Sequence, residues 1–409
     1  MARCGRVLLL LLSWLTAGPV LARVRHPVPV LWMMPVSSGS GRENLTAGLV
    51  PAVRLALQDL QNQPEPLGTY EIQLQLLDPQ CDPAEALRVL FDTMWAGPKY
   101  LLMLGGACPA VTALIARALP ALNLVQVSFV APPPSLSNRK WSRNLVSTAP
   151  APRSLNPAVV KLLRALRWRR VGLLSRDGPG LAQVKKDLIR QLLKADVQLA
   201  AAESFSGDAC SRLKELKDRD VRIFIGQFED DSASEVFCCA YRLNLFGPRY
   251  QWVLAAGGTA GGTAGWRLGW QPAACSAHSL LTAADGAFRL QVRPLGTASA
   301  PGVSGRTPQN YQDSYLKQLL HEGSEVNPLH AFAYDAVWVA ATALSQVREA
   351  VRIREKYGAQ RNVTVSEEEE VKMLLEAVKK AEFEGVTGPV SFRNGERMAT
   401  IELIQFQGD

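Results

Sequence analysis

Four histidines, seven cysteines, an acidic run and a glycine-rich repeat are the residues of this 409-residue chain from which chemistry could be built. The histidines are scattered. His26 lies near the start, His278 follows Cys275, and His321 ends a helical pattern. His330 stands beside an apolar helix, where a packed core residue is the expectation. No G-x-S-x-G elbow precedes a helix with a histidine partner. Gly257-Gly258-Thr259-Ala260, repeated at once as Gly261-Gly262-Thr263-Ala264, follows a strand but lacks the lysine a phosphate loop requires, so it reads as a flexible loop. Glu367 to Glu370 look like a cation site until Ser366 is counted as N-cap and Glu369 as the residue that closes a capping box. No nucleophile, base and oxyanion donor assemble, and the reading is of a protein that is not an enzyme and needs no cofactor or metal.

The cysteines point to structure instead. Cys4 falls in a segment with a basic start (Arg3, Arg6), an apolar stretch from Val7 to Leu15 and a small-residue site at Val20-Leu21-Ala22, so residues 1–22 read as a secretory signal peptide. Cys81, Cys108, Cys210, Cys238, Cys239 and Cys275 remain for an oxidising compartment, with no C-x-x-C among them and fifteen pairings open. Asn44-Leu45-Thr46 and Asn362-Val363-Thr364 are glycosylation acceptors. After the signal no stretch is apolar for the length a membrane helix needs. An exported chain is expected, secreted if complete as given, or on the outer side of a cell membrane if a transmembrane domain absent from this chain follows. The formal charge of +8 is densest at Arg164-Ala165-Leu166-Arg167-Trp168-Arg169-Arg170. That run ends one helix and starts a strand, where cations suit the helix dipole, and no nucleic acid is expected as a partner.

The elements that must position these residues alternate. Val28 to Val36 is an apolar run as for a strand covered on both faces. Helix, strand, helix and strand follow in turn to Val130, and the alternation resumes from Asn156 to Ala255. Two such blocks predict an α/β fold of two doubly wound lobes with mostly parallel sheets, binding ligands at the carboxyl ends of the strands. Helices at 307–322, 331–350 and 366–380, then a hairpin turning at Asn394-Gly395, leave too few strands for a third domain and should recross to complete both lobes. The first lobe is expected over 27–149 with about 290–380, and the second over 150–289 with about 381–409.

One helix stands out. From Pro83 to Ala96, Leu87, Leu90, Phe91, Met94 and Trp95 form one stripe, and only Glu85, Arg88 and Asp92 form a polar sector. The apolar arc is about 240° wide, more than twice what a surface helix needs. Either its own lobe buries it, or a second apolar face meets a partner protein.

Several segments resemble the ectodomains of the type B (metabotropic) GABA receptors. They are Asp78-Pro79-Gln80-Cys81-Asp82, Gly105-Gly106-Ala107-Cys108-Pro109, Asn123 to Phe129, Gly226-Gln227-Phe228, Val236 to Tyr241, Ala333-Tyr334-Asp335 with Trp338, and Phe383 to Gly388 running into Phe392 to Met398. The Cys238-Cys239 pair and the Phe-Arg-Asn-Gly-Glu-Arg-Met string are similar to that family's subunit 2 rather than subunit 1. The resemblance implies a Venus-flytrap module of the periplasmic-binding-protein type I kind, in class C G-protein-coupled receptors. It further implies a heterodimer with an agonist-binding subunit 1, contacted through Phe91, Met94 and Trp95, and disulfides Cys81–Cys108, Cys210–Cys239 and Cys238–Cys275.

The ligand residues do not carry over. Where the agonist-binding subunit has serines after its cysteine, this chain has Pro109 and Ala110; a further serine position is Ala131. The tyrosine of the second lobe is replaced by Glu229, and the acid that meets the ammonium by Leu329. A zwitterion needs partners for both charges, so a degenerate cleft that does not hold GABA is expected. The alternative is a free-standing extracellular module for another small, amino-acid-like molecule. The Gly/Ala repeat, running on to Trp266 and Trp270, replaces an aromatic stretch of the family.

Overall fold

A computed structural model describes residues 25–36, 46–63, 65–133, 136, 142–228, 230–255, 275–358 and 365–407. The signal segment, Asn44, Asn362, Glu229 and the Gly/Ala repeat with its two tryptophans lie outside the described residues.

The first block runs β1 (His26–Met33), α1 (Leu49–Asn62), β2 (Tyr70–Leu77), α2 (Pro83–Ala96), β3 (Leu102–Gly105), α3 (Pro109–Ala118), β4 (Val125–Ser128) and β5 (Leu145–Ser147). The second runs α4 (Asn156–Ala165), β6 (Arg170–Arg176), α5 (Pro179–Lys194), β7 (Gln198–Phe205), α6 (Ala209–Asp218), β8 (Ile223–Gln227), α7 (Asp230–Arg242), β9 (Gln251–Leu254), α8 (Ala277–Ala284) and β10 (Phe288–Val292). Helices α9 (Pro308–Glu322), α10 (His330–Gly358) and α11 (Glu367–Lys379) follow, then β11 (Phe383–Gly385), β12 (Gly388–Val390), β13 (Phe392–Arg393), β14 (Glu396–Arg397) and β15 (Ile401–Gln405).

The parallel core of the first sheet has the order β2-β1-β3-β4-β5, and that of the second β7-β6-β8-β9-β10. These are the same doubly wound topology twice, with order reversing between β1 and β3 and between β6 and β8. Ligand crevices open outside the carboxyl ends of strands at such switch points. Strands β3, β4 and β5 are buried at every residue, as parallel strands covered on both faces should be, with Gln126, Ser128 and Ser147 the buried polar exceptions in β4 and β5. One face of the first sheet meets α1, α9, α10 and α11 in a core that includes Trp338, Tyr311 and Tyr334; the other meets α2 and α3 around Leu90, Met103 and Ile115. The second sheet likewise has a separate core on each face.

The returning segments depart from the expected division. Residues 383–397 join the first lobe, and only β15 joins the second, antiparallel to β10. The reason is a buried acid. Asp335 on α10 is fully buried and accepts hydrogen bonds from the backbone N–H groups of Val386 and Thr387, both at 3.0 Å, and from the Thr387 hydroxyl. Val386 and Val390 close over the first core, and β14 then pairs in parallel with β5. The turn at Asn394 and Gly395 is where the sequence puts it, both residues having positive φ, but its arms are only Phe392–Arg393 and Glu396–Arg397. Residue 398 onward leaves for the other lobe.

Candidate functional site

Helix α2 starts as its sequence dictates. The Asp82 carboxylate accepts from Ala84 N–H at 2.7 Å and Glu85 N–H at 3.0 Å, with Pro83 in the first turn, where no partner is lost. The Cys81–Cys108 disulfide ties this start to the start of α3. Once docked, the wide apolar arc divides. Ala86 and Leu90 are buried, and Leu87, Val89 and Met94 pack against the same core. Phe91 and Trp95, one turn apart, face away: Phe91 is 49% exposed and Trp95 94%. The polar sector is already spent within the helix, since Arg88 pairs with both Glu85 and Asp92. What is left facing outward is a bulky aromatic pair on a helix capped at its start.

The switch-point rim of the first lobe is built from backbone and small side chains. Gly105 and Gly106 both have φ above +100°, and a Cβ on Gly105 would meet the Met33 carbonyl at 2.3 Å, so only glycine fits. Pro109 and Ala110, both exposed, open α3. Proline removes one of the free N–H groups that make a helix start attractive to a carboxylate. The nearby hydroxyls are already committed. Ser128 Oγ accepts from Val130 N–H at 3.1 Å, and Ser147 Oγ donates to the carbonyl oxygens of Val130 and Ala149 at 2.8 and 3.0 Å. Ala131 is half-buried after β4 and offers no polar group; Leu329 is half-buried against the first core. At these described positions of the first lobe the side chains of Pro109, Ala110, Ala131 and Leu329 carry no hydrogen-bonding group.

In the second lobe the polar groups at the ends of β6 and β7 satisfy one another. Ser175 and Ser204 share a hydrogen bond at 3.0 Å, and Lys185 donates to Ser204 Oγ at 2.6 Å. Burial lowers the Lys185 pKa. Cys238 and Cys239, adjacent on α7, reach different neighbours because successive helical residues diverge by about 100°: Cys239 bonds to Cys210 on α6 and Cys238 to Cys275.

Two buried networks lie away from the cleft and were not legible as units in the sequence. Asp59 on α1 accepts from Arg306 at 2.7 Å and from the Tyr334 hydroxyl at 2.6 Å, which holds the Arg306 pKa up. His330 is stacked on Tyr315 with ring centres 4.0 Å apart, and its Nδ1 lies 2.8 Å from the Tyr311 hydroxyl. Burial pushes its pKa down to about 4, so it is neutral at physiological pH. It is the packed residue that its apolar surroundings imply. No group of three or more metal-ligating side chains occurs among the described residues, and no described helix is long and apolar enough to cross a membrane.

Two doubly wound lobes of one topology, joined by chain crossings after β5, β10 and β14, define a two-lobed α/β module with mostly parallel sheets. The chain belongs to the family described as the receptor family ligand binding region, whose sequence model matches residues 49–409. Such domains bind ligands for receptors and are not enzymes. The chain is similar to the gamma-aminobutyric acid type B receptor subunit 2 of Mus musculus, 35% identical over 395 residues, which covers 97% of this chain and 42% of that protein. Subunit 2 of Rattus norvegicus is likewise 35% identical, over 98% of this chain and 43% of its own length. Subunit 1 of Mus musculus is 29% identical over 88% of this chain and 37% of its own length. The chain therefore spans about two fifths of the length of these curated relatives.

Proposed function

We propose that this chain is the extracellular Venus-flytrap domain of a class C receptor of the metabotropic GABA type, acting as the subunit that does not hold the agonist. It pairs through the outer face of α2 with an agonist-binding domain like subunit 1, and it lies on the outer side of the cell membrane. The observation that carries the pairing is Trp95, 94% exposed on a well-capped helix whose charges are paired with one another. Covering a large apolar side chain contributes about 1.5–3 kcal/mol, and tryptophan is enriched among residues that dominate interfaces. The apolar side chains at Pro109, Ala110, Ala131 and Leu329, together with first-lobe hydroxyls already bonded to backbone, support the second half of the reading. A GABA carboxylate and ammonium brought against Pro109, Ala110, Ala131 and Leu329 would each lose water without replacement, at a cost of several kcal/mol per ion.

Size-exclusion chromatography of the chain with and without a subunit 1 ectodomain tests the pairing, and calorimetric titration with GABA tests the cleft. Co-elution with no heat of GABA binding to the isolated chain is expected. A chain that stays monomeric beside that partner, or that takes GABA alone at micromolar concentration, overturns the reading.

A further inference from the structure

The basic run at Arg164–Arg170 has no part in the proposed pairing, and the fold gives it company. In a parallel sheet every loop that enters a strand lies at the same edge, so the starts of β6, β7, β8 and β9 line one rim of the second lobe, opposite the carboxyl ends that face the cleft. Arg164, Arg167 and Arg169 precede β6, Lys194 precedes β7, Arg219 precedes β8 and Arg249 precedes β9; all six are exposed. None of the six has an acidic partner among the described residues. The acids on the same loops are fewer: Asp196, Asp218 and Asp220, the last already 3.3 Å from Arg222.

The row is held in place by its own backbone. The Arg170 guanidinium donates to the carbonyl oxygens of Arg219 and Asp220, both at 2.6 Å, and so pins the loop before β8 to the start of β6. Gln198 N–H donates to Arg169 O at 2.7 Å, and Gln251 N–H to Arg222 O at 2.9 Å. With strands about 4.8 Å apart, the four loops spread positive charge along about 15 Å. Five of the six free cations are arginines, whose planar forks match sulfate or phosphate oxygens two at a time.

From this geometry we infer a binding surface for a linear sulfated polysaccharide across the strand starts of the second lobe. A line of guanidinium groups at strand spacing fits a chain that carries its anionic groups along a line, and basic clusters of this kind bind heparin-like polyanions. A lipid surface is the alternative that the test must separate, because Leu166 and Leu193 are exposed at the ends of α4 and α5. The six cations outnumber these two leucines, which favours the polysaccharide.

The test uses the full exported chain, a defined heparin oligosaccharide titrated at 0.15 M salt, and phosphatidylserine vesicles as the second probe. The variant Arg167→Gly/Arg169→Ser/Arg249→Ser removes three charges from the rim. Arg167 has φ +57°, a conformation that favours glycine, so this change should not weaken the fold. The control Lys317→Ser/Lys356→Ser/Lys372→Ser removes three exposed charges from the first lobe and leaves the same net charge. The rim variant should bind the oligosaccharide about tenfold more weakly at unchanged melting temperature, and the control within about twofold of the parent. Equal losses in both variants overturn the inference, as does a parent chain that ignores the oligosaccharide at this salt or binds only the vesicles.

Discussion

Acidification should loosen the first lobe through one residue, His330. Its ring lies against Tyr315, bonds to Tyr311 and is almost out of reach of water. Burial disfavours the imidazolium and lowers its pKa from the ordinary 6.5 to about 4. A histidine whose folded pKa is depressed binds fewer protons folded than unfolded between those two values. The stability it contributes is therefore complete above pH 6.5 and is lost as pH falls toward 4. The full window is worth about 3 kcal/mol, and about 2 kcal/mol is gone by pH 5. For a lobe of this size that is a fall in melting temperature of about 4–8 °C. Other groups titrate over the same range, so the assay is a comparison. Thermal and urea unfolding of the parent and of His330→Asn are measured at pH 7.5 and pH 5. The asparagine leaves a polar group near the position of Nδ1 and removes the titration. The variant should be less stable at pH 7.5, because the stack is lost, yet its loss between the two pH values should be smaller than the parent's by about 2 kcal/mol. Equal losses in the two proteins would refute the reasoning.

Three further outcomes follow from the same structure. Asp335→Ala strips the acceptor from two backbone N–H groups and removes the larger of the two carboxylate charges, with Glu384, that favour the buried Arg397 cation; a loss of about 3–5 kcal/mol is expected in urea unfolding, and Asp335→Asn should cost less. Removing the Cys81–Cys108 bridge by paired serine substitution frees a loop of 27 residues' separation and should lower stability by about 3.6 kcal/mol on the chain-entropy account, detectable by calorimetry under oxidising conditions. A thermal-shift screen against GABA and the common amino acids should leave the melting temperature unmoved; a ligand at one hundred times its Kd would add about 2.7 kcal/mol and would identify a solute-binding cleft.

The sequence made the repeating units easy to read, because buried parallel strands are short apolar runs and the helices between them carry their own start signals. Asp82 and Ser366 cap their helices as the residue types imply, although the Glu369 carboxylate pairs with Arg354 and only its backbone N–H meets Ser366. It was harder to read where the chain ends up after α11. Asn394-Gly395 marks a turn but not which sheet receives its arms; that is decided by Asp335, some fifty residues earlier, reaching the backbone at Val386 and Thr387. Long-range polar contacts of this kind leave no local periodicity. The stripe on α2 shows the same limit from the other side. Its excess of apolar residues was visible, but which of them turn outward depends on how the helix docks, and docking separates Phe91 and Trp95 from Leu90 and Met94. For the proposed cleft the sequence offers only a subtraction, the side chains at Pro109, Ala110, Ala131 and Leu329 that carry no hydrogen-bonding group.

Sedimentation velocity of the parent and of Phe91→Asp/Trp95→Asp, each mixed with a subunit 1 ectodomain, tests the pairing face most directly. Trp95 is almost fully exposed and Phe91 about half, so the double variant should stay within about 1 kcal/mol of the parent in stability. Loss of a dominant aromatic contact costs at least about 2 kcal/mol, or roughly thirtyfold in Kd. The account requires a complex for the parent and its loss for the variant; a variant that associates as tightly as the parent would contradict it.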